Sequence, residues 1–150
     1  MADKEKSAEL ILKLYELRRD ETMRKARSWF MSFNPDSAQD IMDAYAGEHS
    51  AYIRMVTTYW DMACSMVNHG AIDEEMFNDA NAEHAFIYAK LQPFVSEIRA
   101  VTGPRYLPHL EQLVMRMPDA EQHLEQLRQM SRRFAAQRAS AASASEQPKA

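Results

Sequence analysis

The sequence predicts an all-α fold, a compact single-domain bundle of five to seven helices. Three observations predict it. Glycine is scarce, three in 150 residues, which leaves few sites for the tight turns of an all-β protein. Alanine, glutamate, glutamine, leucine, methionine and arginine, the strong helix formers, are abundant. Apolar residues recur three and four apart over long stretches, the period of an amphipathic helix. With 46% hydrophobic residues, a chain of this length can bury a core without disulfides or a structural metal.

Helix 1 is expected from about Ser7, an acceptable N-cap, to Ser32. Asn34 can cap the next helix with Pro35 at its first position, where a missing N–H costs nothing. That short helix ends near Ala46, with Gly47 in a left-handed cap. Helix 3 follows from about Glu48 to Asn68. Its apolar series is Tyr52, Met55, Val56, Tyr59, Met62, Ala63, Met66 and Val67, widened by Ile53, Trp60 and Cys64, while Arg54, Thr57, Asp61, Ser65 and Asn68 form a polar strip. So wide an arc marks a central helix.

Asp73 can cap a short turn, 74–80, before a long helix over 82–101 with core positions Ile87, Leu91, Phe94, Val95 and Ile98. Pro93 should kink or split it. Gly103-Pro104 ends it, and a short helix carries Leu107, Leu110, Leu113 and Val114. The last helix begins at Pro118-Asp119, where Asp119 and Gln122 suit a capping box. Its seam of Ala120, Leu124, Leu127, Ser131 and Phe134 is coiled-coil-like but short. The bundle is therefore expected over 1–137. The small polar residues of 138–150 form no core and are expected to be disordered.

Composition excludes several classes. Cys64 is the sole cysteine, so no intramolecular disulfide or cysteine zinc cluster can form. The charged N-terminus lacks the apolar run of a signal peptide, and no stretch approaches the ~20 apolar residues of a membrane span. A cytoplasmic protein is expected. A net charge of −4 argues against a general nucleic-acid binder. Two basic clusters stand out, Arg18, Arg19, Arg24, Lys25 and Arg27, and then Arg128, Arg132, Arg133 and Arg138. Acidic residues interleave the first, as on a salt-bridged helix face.

The candidate sites are few. At about 100° per residue, Leu10, Ile11, Leu14, Tyr15, Leu17, Trp29 and Phe33 define the buried arc of helix 1. Arg18, Glu21 and Lys25 fall inside it, spaced to pair along one face. Either their stems reach water, or they line an internal polar pocket for a charged ligand. His84 lies on the apolar face of its own helix, as a hydrogen-bonded core residue or a proton-transfer group with Glu21 or Asp61. A di-iron site needs Glu-x-x-His motifs; none of His49, His69, His84, His109 and His123 follows a glutamate at that spacing. No phosphate loop or nucleophile elbow is present, and Cys64 reads as a buried, inert thiol.

The segment from Tyr59-Trp60-Asp61 through His69-Gly70-Ala71-Ile72-Asp73-Glu74 to Pro93 and Arg99 resembles a family of uncharacterised bacterial helical proteins. Those share an aromatic-acidic pair, a glycine-isoleucine-aspartate turn and a later proline followed by arginine. Asp61 stands where the family pattern has glutamate. The resemblance implies an all-helical fold and no particular activity; many members carry an N-terminal membrane segment that this sequence lacks. An Asp61–Arg99 ion pair would close the helical hairpin around Gly70.

The functional expectation is a non-enzymatic helical interaction module that forms a homodimer through its terminal helices, with no cofactor and no metal. Trp29, Phe30, Phe33, Leu127 and Phe134 are the apolar surface offered for it. The alternative is a small-ligand binder or enzyme using Arg18, Glu21, Lys25 and His84.

Overall fold

Four short side chains start four of the helices. Asp3, Asp20, Ser37 and Asp73 each accept a hydrogen bond from the backbone N–H three residues on, at 2.9, 3.0, 3.1 and 2.9 Å, satisfying donors that a helix start leaves unpaired. A computed structural model describes residues 2–146. It contains α1 (Lys4–Arg18), α2 (Glu21–Ser32), α3 (Ala38–Ala46), α4 (Ser50–Asn68), α5 (Glu74–Ala80), α6 (Glu83–Leu91), α7 (Val95–Thr102), α8 (Pro108–Met115) and α9 (Ala120–Glu146). A 3-10 turn, Gln92–Phe94, holds Pro93 and joins α6 to α7, so the expected split occurs there.

The number of helices exceeds the five to seven expected. Counting the bent run 83–102 as one rod leaves eight. The extra helix arises because the expected helix 1 is two, broken at Arg19-Asp20, where Asp20 caps α2. Two cap assignments also change. Ser7 is not an N-cap: it is buried inside α1, and its hydroxyl accepts from the Asp73 N–H at 2.9 Å, tying α1 to the start of α5. Ser37 rather than Asn34 caps α3. Gly47 closes α3 with extended rather than left-handed backbone (φ −94°); a Cβ there would stand 3.0 Å from the Asp43 carbonyl.

The core gathers around α4, which packs on α2 and α8 and touches α3 and α5. Its fully buried face is Ile53, Val56, Trp60, Ala63 and Cys64. The residues expected to sit at the edge of its stripe are therefore at its centre, and Met62 of the expected series is exposed. Thr57, expected on the polar strip, is buried with its hydroxyl donating to the Ile53 carbonyl. α9 packs mainly on α6, and more lightly on α8 and α2. The helix continues to Glu146 through part of the segment expected to be disordered, with residues 136–146 all exposed. Residues 147–150 of that tail lie outside the described residues.

Charged side chains from distant helices finish several helix ends. Lys90 of α6 is 4% exposed and donates to the carbonyls of Phe30, Met31 and Phe33 at 2.8, 2.9 and 2.8 Å. These belong to the end of α2, where carbonyls are orphaned and a cation is favoured. Burial, then Arg138 and Arg132, pull the Lys90 pKa down to about 7, while the three carbonyls act oppositely by accepting from the ammonium. Arg128 of α9 donates to the Ala89 carbonyl and to Gln92 at the end of α6. Asp61 of α4 accepts from the His109 and Leu110 N–H groups at 3.0 and 2.9 Å. The N-cap of α8 is Leu107, which has no side-chain oxygen and sits in the left-handed region (φ 49°), so α4 supplies the missing cap. Asp61 is therefore not paired with Arg99. That arginine meets Glu111 at 3.1 Å and the Tyr106 carbonyl.

Candidate functional site

α1 carries Leu10, Ile11, Leu12, Leu14, Tyr15 and Leu17, apolar residues placed around most of its circumference. Only one side can face the bundle. Ser7, Leu14 and Arg18, at helical spacing, form the buried side.

Arg18 anchors that side. Its guanidinium lies 5.1 Å from the Trp60 ring centroid and 5.4 Å from that of Tyr15, and donates to the Tyr59 hydroxyl at 3.4 Å. The Tyr59 hydroxyl in turn donates to the Leu14 carbonyl. A cation over an indole face is held by the ring quadrupole, which explains a buried arginine without a carboxylate. Trp60 Nε1 donates to Glu83 at 3.1 Å, and Arg27 of α2 donates to both Glu83 oxygens at 3.1 and 2.9 Å. Arg27 and Glu83 are the polar residues that sequence reasoning missed; the adjacency of Glu83 to His84 is visible in the sequence, but its partners lie 23 and 56 residues away.

His84 reaches the other part of Trp60. Its ring stands 5.8 Å from that indole and 5.0 Å from Phe77. Nε2 pairs with the Asn78 side chain at 3.1 Å, and Nδ1 is buried without a partner. Burial pushes the imidazole pKa down to about 4. The tautomer with Nε2–H donating to Asn78 leaves Nδ1 unprotonated, and neither Glu21 nor Asp61 supplies a partner. Arg18 and His84 thus share Trp60, but the expected cluster does not assemble. Glu21 and Lys25 are exposed and pair with each other at 3.3 Å. The break at Asp20 resets the helical phase, so a wheel drawn through residues 7–32 places them on the wrong side.

The solvent side of α1 carries the exposed Lys6–Glu9 and Lys13–Glu16 ion pairs, but one flank of the helix exposes apolar side chains. Ala8, Leu12, Tyr15 and Arg19 follow a four-three-four spacing, with Leu12 67% and Tyr15 55% exposed. Lys4 and Glu5 lie at one end of this stripe and Arg19 closes the other, and none of the three has an ion-pair partner among the described residues. The surface expected to mediate a dimer is, by contrast, largely consumed internally. Phe30 and Leu124 are fully buried, Leu127 is half-buried against the core, and Trp29 stacks between Phe33 (4.8 Å) and His49 (5.0 Å). Phe134 alone of that set is substantially exposed. Of the two basic clusters, Arg18, Arg27, Arg128 and Arg132 are likewise engaged within the molecule.

No group of three or more metal-ligating side chains converges among the described residues, and no described helix is long and apolar enough to cross a membrane. Fold and surface define an all-α bundle packed around one central helix. The chain belongs to the family Domain of unknown function (DUF4760), whose model matches residues 6–117. That match runs from α1 through α8, and α9 lies beyond it. No curated protein and no solved structure matches the chain.

Proposed function

We propose that this protein is a cytoplasmic, non-enzymatic helical interaction module that pairs with a second copy of itself through the outer face of α1. The observation that carries the reading is the exposed apolar stripe of Leu12 and Tyr15 on a helix whose other side is pinned to α4. Charge supports a particular arrangement. In an antiparallel pair with Leu12 on the two-fold axis, Glu5 of one copy faces Arg19 of the other, each seven residues from Leu12. Opposite charges flank a small apolar centre, as in self-complementary interfaces.

The dimer is weak. Fully burying a leucine or tyrosine gains about 1.5–3 kcal/mol, and association costs several kcal/mol, so few side chains leave a small surplus. Leu12→Glu should abolish pairing, since it puts two carboxylates on the axis. Glu5→Arg should weaken it, and Glu5→Arg with Arg19→Glu should restore it. Light scattering reads all three. A Leu12→Glu protein as dimeric as the parent, or a double reversal that restores nothing, would sink the α1 interface.

A further inference from the structure

A second opening lies on a different face of α4, bounded by α3, α7 and the segment leading into α8. It consists of two adjoining grooves of about 460 and 430 Å³ that share Tyr45, Arg54 and Tyr106. One half is apolar, lined by Met42, Ala46 and Ile98. The other carries Arg54, Arg105 and Thr58. Arg54 donates only to the Ser50 hydroxyl, and neither arginine has a carboxylate partner among the described residues. The Asp61 carboxylate also lines this half, but it is committed to the two N–H groups at the start of α8. The cleft thus has an apolar end and an end where two arginines stand against one carboxylate, leaving a net positive charge.

Its wall is fixed in advance. The Tyr45 hydroxyl lies 3.0 Å from that of Tyr106 and 3.2 Å from the Thr57 hydroxyl. Burial raises the pKa of both tyrosines, so both stay neutral. Arg99 holds the Tyr106 carbonyl at 2.9 and 3.1 Å. The next residue, Leu107, is kept in the left-handed region at φ 49°, a conformation that costs a bulky residue energy and persists only where its surroundings enforce it. Pockets of a few hundred Å³, mostly apolar with a few fixed polar groups, are the usual form of a small-molecule site. A planar guanidinium matches the geometry of a carboxylate.

We propose that this cleft binds a small carboxylate with an apolar body, the carboxylate between Arg54 and Arg105 and the hydrocarbon or aryl part against Met42, Ala46 and Ile98. The site stands apart from α1 and does not depend on dimerisation. The test is calorimetric titration of the full chain with octanoate and 3-phenylpropionate, with octanamide and inorganic phosphate as controls. At least one carboxylate should bind, and both controls should bind at least about tenfold more weakly. Arg54→Gln with Arg105→Gln, both at exposed positions, should weaken binding at least about tenfold without altering thermal unfolding. Ala46→Trp, which fills the apolar end, should do the same. Failure of both carboxylates at millimolar concentration would overturn the proposal. So would equal affinity for octanamide or phosphate, or unchanged affinity in the two variants.

Discussion

Burial holds His84 at a pKa of about 4, below the ordinary 6.5, and this makes stability depend on pH. In the unfolded chain the imidazole gains a proton as pH falls through 6.5; in the folded one it resists until about 4. The stabilisation is complete above 6.5 and is lost progressively between 6.5 and 4, reaching about 3 kcal/mol. His84→Gln should keep a polar contact to Asn78 and remove this slope. Urea unfolding at pH 7 and pH 4.5 checks it: equal losses in parent and variant would show that another group is responsible. The position of His84 on an apolar face is legible in the sequence, because local periodicity decides it. Its partner Asn78 and the fate of Glu21 and Lys25 are not, because one cap at Asp20 changes the phase of the helix that carries those two. Trp60 stands at the centre of the Arg18–Glu83–His84 arrangement, yet the sequence alone shows it only widening a stripe. The residues it joins come from two other helices, α1 and α6.

At the scale of elements, the helices are finished by one another. Lys90 completes α2, Arg128 completes α6, and Asp61 completes α8. Lys90→Met keeps the length of the stem but leaves the Phe30, Met31 and Phe33 carbonyls without their donor. Chemical denaturation should show a loss of about 2–4 kcal/mol, since buried groups left unpaired cost about 1–3 kcal/mol each and some will recover water. A loss under about 0.5 kcal/mol, the range of an ordinary surface change, would mean the contacts do not hold α2. Asp61→Ala should cost about 1–2 kcal/mol, the range for removal of an N-cap, and thermal unfolding reads it; an unchanged midpoint would contradict the cap. Such contacts are illegible in the sequence, where Arg99 is the natural match for Asp61. A capping aspartate is recognised by a helical pattern beginning at the very next residues, and here the helix it caps begins 47 residues later. The cap at Asp73 and the break at Pro93 are legible because their cause is local.

For the whole molecule, the all-α class and the central position of α4 are written in composition and in three-four periodicity. The assignment of spare apolar surface is not. Trp29, Phe30 and Leu124 are used inside the bundle, while on α1 Tyr15 and Leu17, both read as facing the core, stand in water together with Leu12. A periodic pattern says that a helix has an apolar face, but not which neighbours arrive to cover it. In the proposed dimer a second copy covers this one. Sedimentation equilibrium of the unmodified chain, at concentrations up to about 1 mM given the weak pairing, tests it most directly. Pairing through α1 gives an average mass that climbs with concentration from 17.3 kDa towards twice that value, with the rise abolished by Leu12→Glu. A mass that stays at 17.3 kDa across the whole range would contradict it.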